Sequence, residues 1–179
     1  NFSRAELRRA TKDFAGAIKD YTKAIELNPN FVNALCNRGI ARRNLGQMDE
    51  ALADFTQALH LEPENADAYY YRATALYIKG QLELAVADFD VAIRLKPEQA
   101  ESWNDRGVAQ HRMGRLTEAL YDYNEAIKRK PTLARAYLNR GVVYLEQGKN
   151  DEARRDLAEC LRLNPVHKAV VEQLLQTIQ

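Results

Sequence analysis

Two cysteines, three histidines and two serines are the side chains of this 179-residue chain that could act as nucleophiles or hold a transition metal. Ser3 and Ser102 lack the Gly-x-Ser-x-Gly setting that exposes a nucleophilic serine. His60, His111 and His167 are far apart, and none has a second ligand at the spacing a metal needs. The eight glycines are not gathered into a phosphate-cradling loop. These absences point away from an enzyme, a metal and a cofactor. What does recur is charge. Arg38, Arg72, Arg106 and Arg140 are each followed sixteen residues later by an acid, Asp54, Asp88, Asp122 and Asp156. Arg4 and Asp20 stand in the same relation. The chemistry available to such a pattern is ion pairing rather than catalysis.

The elements that hold these charges follow from a period. Pro29, Pro63, Pro97, Pro131 and Pro165 are 34 residues apart. Gly46, Gly80, Gly114 and Gly148 keep that step, as do Ala17, Ala51, Ala85, Ala119 and Ala153. A fixed period of this size marks a repeat array. The parsing is 1–31 (a partial repeat), 32–65, 66–99, 100–133 and 134–167, with 168–179 as a capping helix. Each full repeat reads as two helices. In the second, helix A is expected over Val32–Leu45 and helix B over Asp49–Leu61, with the glycine closing A and the proline stopping B. Ala51, Phe55, Ala58 and Leu59 form the apolar stripe of B. Small residues at Gly39, Ala73, Gly107 and Gly141 let the helices approach closely beside bulky Phe55, Phe89 and Tyr123.

In such a hairpin Arg38 and Asp54 lie eight residues either side of the turn, at one height on facing helices. Each Arg–Asp set therefore reads as a structural ion pair, with a ladder of arginines for an acidic ligand as the competing reading. In the terminal helix the matching position is Leu174, where no partner helix follows. Lys128-Arg129-Lys130 reads as a solvated helix-end cap.

Composition bounds the rest. Lys and Arg number 26 against 25 Asp and Glu, a net charge of +1, which argues against nucleic acid. No apolar run reaches the roughly 20 residues needed to span a bilayer. The chain opens without Met or a signal peptide, which reads as a segment of something longer. Two cysteines make no disulfide framework and point only loosely to the cytoplasm.

Trp103-x-x-Arg106-Gly107, Ala119-x-x-x-Tyr123 and Pro131, together with Tyr137-x-x-Arg140-Gly141-x-x-Tyr144, Ala153 and Pro165, resemble the tetratricopeptide repeat family. The resemblance runs through essentially the whole chain. It implies an all-α, right-handed α-solenoid of antiparallel helix-turn-helix repeats, with A helices lining a concave groove. The family pattern usually has Leu where this chain has its recurring Arg.

The resemblance, with helical spacing, places the lining on Asn33, Cys36, Asn37, Ile40, Arg43 and Asn44 of the second repeat. The third gives Tyr70, Tyr71, Thr74 and Tyr77. The fourth gives Asn104, Asp105, Val108, His111 and Arg112, and the fifth Arg135, Leu138, Asn139, Val142 and Glu146. Tyrosines offer broad contact at low entropy cost, and Asn37 and Asn139, in one slot, could clamp a peptide backbone. Counted over the groove with the first repeat included, four basic residues (Arg9, Arg43, Arg112, Arg135) stand against five acidic ones (Glu6, Asp67, Glu101, Asp105, Glu146), which gives no steering sign. Chaperone-binding members carry a carboxylate clamp; here its places hold Phe2 and Glu6, then Asn37, then Asp67 and Tyr71, so a chaperone C-terminal tail is not expected. The expected role is a non-catalytic scaffold binding a protein or peptide in the groove. The alternatives are a self-associating, homo-oligomeric module or the recognition arm of a multidomain enzyme.

Overall fold

The computed structural model describes residues 1–177. It divides into two compact units, Asn1–Leu95 and Lys96–Gln179. Among the described residues every regular element is helical.

The first unit is three hairpins: α1 (Phe2–Ala10) with α2 (Phe14–Leu27), α3 (Val32–Asn44) with α4 (Met48–Leu61), and α5 (Ala66–Ile78) with α6 (Leu82–Leu95). Within this unit α2 also packs on α3 and α4 on α5, and α3 lies beside α5. The second unit repeats the scheme with α7 (Ala100–Arg112), α8 (Leu116–Arg129), α9 (Ala134–Glu146) and α10 (Asn150–Leu163). A single 3₁₀ turn, Pro165–His167, then leads into α11 (Lys168–Gln176).

Local chemistry sets these limits. Asp13 and Asn65 cap α2 and α5 by accepting the N–H of Gly16 and of Ala68, each at 2.9 Å. Gly46 closes α3 at φ +78°, a left-handed conformation that costs glycine nothing. Lys12 takes the equivalent place after α1 at φ 62°, where a side chain is strained. A helix starting at Lys168 and running to Gln179 was expected; the helix ends at Gln176, and Gln179 lies outside the described residues. His167 sits in the 3₁₀ turn, where Asn164 turns the chain by accepting the Val166 N–H at 3.1 Å.

The core of every hairpin is one large side chain on the second helix. Tyr21, Phe55, Phe89, Tyr123 and Leu157 are all fully buried, each contributing about 1.5–3 kcal/mol of apolar burial. The facing residue must be small. A Cβ added to Gly39 would stand 2.6 Å from Phe55 Cε1, far inside contact distance. On the last hairpin α11 buries Val171, with Leu174 and Leu175 partly covered, against Leu157 and Cys160. No described helix is long and apolar enough to cross a membrane.

Candidate partner-binding faces

The recurring charges meet inside the hairpins. Arg38 reaches Asp54 through Nε (3.0 Å) and Nη2 (2.7 Å). Arg72 grips Asp88 in the same two-pronged way (2.7 and 2.8 Å), as Arg106 does Asp122 (2.8 and 2.6 Å) and Arg140 Asp156 (2.7 and 2.6 Å). Arg4 and Asp20 complete the series at 2.7 and 2.5 Å. The aspartates are buried, so the pairing is what makes their charge tolerable there. The hydrogen bond to Asp88 raises Arg72 above its ordinary range, and that to Asp156 raises Arg140. The hydrogen bond from Arg4 in turn holds Asp20 below the usual carboxylate range. Aromatic rings one turn earlier lie under the cations: Tyr69 under Arg72 (5.5 Å), Trp103 under Arg106 (5.0 Å) and Tyr137 under Arg140 (5.7 Å).

Two features of this set lie beyond the pairing rule. Asp20 and Asp54 hold a second arginine each, Arg8 at 2.9 Å and Arg42 at 2.7 Å, whereas Leu76 and Tyr144 occupy the corresponding places beside Asp88 and Asp156. The third nitrogen of the main arginine reaches back to the preceding hairpin. Arg38 Nη1 donates to Thr22 (3.1 Å), Arg72 Nη1 weakly to Thr56 (3.4 Å), and Arg140 Nη1 to Asn124 (2.6 Å). The signal was available, since 22, 56 and 124 share one 34-residue slot and all carry short polar side chains.

On the first unit, the exposed side of α1, α3 and α5 carries the expected lining, with corrections. Ile40 is buried among Ala51, Phe55 and Ala75, with Tyr71 packed on it, so it supports the face from below. Cys36 is buried among Val32, Leu35, Ala58, Leu59 and Ala68. Burial, helped by the charges of Glu62, Asp67 and Asp54, pushes its thiol up to about 12, so it is no groove nucleophile. Asn33 and Asn44 are exposed, but the Asn44 amide donates to its own helix at Ile40 O (2.8 Å). Asn37 donates to Glu6 (2.8 Å), which also pairs with Arg9 (3.0 Å) and accepts from Tyr21. Tyr70, Tyr71, Thr74 and Tyr77 are partly exposed. Tyr71 stacks on Phe55 (6.0 Å) and meets Tyr70 edge-on (5.5 Å). Arg43 Nη1 donates to Thr74 Oγ1 (2.5 Å).

On the second unit α7 and α9 are cross-linked likewise. Asn104 was expected to face water. It is 1% exposed, because its amide spans Asp105 (2.8 Å) and Asn139 (3.0 Å). Arg135 approaches Asp105 at 3.6 Å, and His111 Nε2 sits between both oxygens of Glu146 (2.9 and 3.0 Å). Val108, Leu138 and Val142 are partly exposed and Arg112 is exposed. In the basic run Lys128 and Lys130 are exposed at the end of α8, as a solvated cap requires, with Lys130 pairing with Glu101 (2.7 Å). Arg129 departs from it, lying over Trp103 (4.2 Å), bonding Pro97 O and pairing with Glu125 (2.5 Å). Among the described residues no three His, Cys, Asp or Glu converge as metal ligands.

Stacked helical hairpins with a polar and aromatic face on their first helices define a repeat-built scaffold. Family profiles agree: a tetratricopeptide repeat profile matches residues 36–100, a TPR repeat profile residues 5–45 and 112–148, and a further tetratricopeptide repeat profile residues 134–167. The chain belongs to the tetratricopeptide repeat family, and its fold is that family's α-solenoid. Among solved structures it is similar to MamA, at 27% identity and TM-score 0.80, covering 92% of this chain and 96% of that one. It is also similar to YrrB, described as a TPR protein with an unusual peptide-binding site, at 26% identity and TM-score 0.75 over 96% and 89%. A thermophilic TPR protein in Thermus thermophilus, at 22% identity, shares the fold with TM-score 0.80 over 98% and 97%. No match was found among curated protein sequences.

Proposed function

We propose that the chain is a non-catalytic, cytoplasmic scaffold that binds a peptide or helical segment of a partner protein on the exposed sides of its first helices. The observation that carries this reading is on the first unit, where Tyr70, Tyr71 and Tyr77 remain partly exposed on one helix beside the exposed Asn33 and Asn44. A partly exposed tyrosine cluster on a rigid support gives contact area at a low ordering cost. The peptide-binding description of YrrB supports the same reading. After the corrections above, the contacting set is Asn37, Arg43, Asn44, Tyr70, Tyr71, Thr74 and Tyr77 on the first unit. On the second it is Asp105, Val108, His111, Arg112, Leu138, Asn139 and Val142, while Ile40 and Asn104 support from beneath.

The test is selection of peptides from a displayed library of random linear sequences, followed by affinity measurement on the Tyr70→Ala/Tyr71→Ala variant. The expected result is a loss of about tenfold or more, with helicity retained. Selected peptides that bind the variant as tightly as the parent would refute the assignment.

A further inference from the structure

Pairing the charges on the first unit's exposed face, instead of summing them, leaves one residue over. Arg9 and Arg43 occupy the same slot of successive repeats. Arg9 faces Glu6 at 3.0 Å. Arg43 meets no carboxylate within ion-pair distance among the described residues; its fixed partners are neutral. Nη1 donates to Thr74 Oγ1, and the guanidinium lies 6.0 Å from the centre of the Tyr71 ring. Both supports are themselves held. The Thr74 hydroxyl donates to Tyr71 O at 2.8 Å, turning a lone pair toward the arginine, and the Tyr71 ring is stacked on the buried Phe55. Nε and Nη2 of Arg43 bond nothing among the described residues. The nearest acid on α5 in sequence is Asp67. It lies one turn before Tyr71, whose hydroxyl is raised by burial and by Asp67 while Arg43 lowers it. It is seven residues before Thr74, about 10 Å along a helix from the Arg43–Thr74 contact.

A cation pre-oriented by neutral groups keeps its charge available. A planar guanidinium with one free edge matches a carboxylate in a two-pronged contact. We propose that Arg43, Thr74 and Tyr71 form a seat for one Asp or Glu side chain of the bound peptide, with a neighbouring apolar residue of that peptide against Tyr71 and Tyr77. This rests on the peptide-binding reading above and adds the partner's chemistry to it. One cation and two neutral supports fit a single negative charge in an otherwise apolar segment, not a run of acids.

The same selection decides it. Peptides that bind the parent chain and lose affinity on Tyr70→Ala/Tyr71→Ala are aligned, and then measured on Arg43→Gln and Arg43→Glu. Expected is an acidic residue at one fixed position next to an aromatic or aliphatic one. Arg43→Gln should weaken these peptides about tenfold. Arg43→Glu should weaken them further and regain affinity for the peptide whose acid is changed to Lys. Circular dichroism of both variants should match the parent. Peptides that depend on Tyr70 and Tyr71 but carry no fixed acid, or that bind Arg43→Gln and Arg43→Glu as well as the parent, overturn the seat and leave the groove standing. A selection yielding no peptide dependent on Tyr70 and Tyr71 overturns both.

Discussion

Replacing Arg140 with Leu should reveal what the buried pairs contribute. Asp156 is 5% exposed, and Arg140 is the one cation within bonding distance among the described residues. Removing it leaves a carboxylate in the hairpin interior without compensation, which typically costs about 3–5 kcal/mol. The low end applies here. An open cavity of about 330 Å³ beside the pair is lined by Arg155 as well as Tyr144 and Glu152, so water and a second guanidinium can approach the orphaned charge. About 3 kcal/mol corresponds to a fall of roughly 6–12 °C in melting temperature for a chain of this size. The double change Arg140→Leu/Asp156→Leu removes both charges and should return to within about 1 kcal/mol of the parent. Arg38→Leu supplies the internal control. Arg42 still holds Asp54 at 2.7 Å, so the loss should be nearer to about 1 kcal/mol. Thermal melts followed by circular dichroism give the order, and hydrogen exchange of α9 and α10 localises it, because repeat units can open separately. If Arg140→Leu is as mild as the double change, or Arg38→Leu as severe as Arg140→Leu, the reasoning fails.

Lys12 stands at φ 62° where later hairpins carry glycine. Lys12→Gly should raise stability by about 1 kcal/mol by releasing that strain, read as a higher melting temperature; an unchanged or lower value would count against it. Asp20 is held below its ordinary range, chiefly by the hydrogen bond from Arg4. A depressed carboxyl contributes stability that is complete at neutral pH and is lost as pH falls through the folded value, below about pH 4. Asp20→Asn should therefore be less stable than the parent at pH 7, with the gap narrowing in melts at pH 3; a constant gap would refute the linkage.

Sequence and structure agree most closely where one slot has one job in every repeat. The recurring Arg and Asp could be paired from their offsets because an antiparallel hairpin fixes which residues share a height. Helix ends were legible within a residue or so: α3 stops at Asn44 and α4 begins at Met48. The face was less legible. Helical spacing gives a direction for a side chain but not how much of it the next helix covers. Hence Ile40 and Asn104 read as lining although both are buried, and Cys36 read as groove-facing although α4 and α5 enclose it. The Arg129–Trp103 stack joins the end of one helix to the start of its partner, a contact that no periodic pattern encodes.

The third nitrogen of Arg38, Arg72 and Arg140 is anchored on the hairpin before its own. Unravelling of one hairpin therefore strips a donor's mate from its C-terminal neighbour. Damage should then spread along the chain in one preferred direction, toward higher residue numbers. Excising a whole 34-residue module would rejoin Thr or Asn to the next guanidinium in register, whereas cutting out any other length would not.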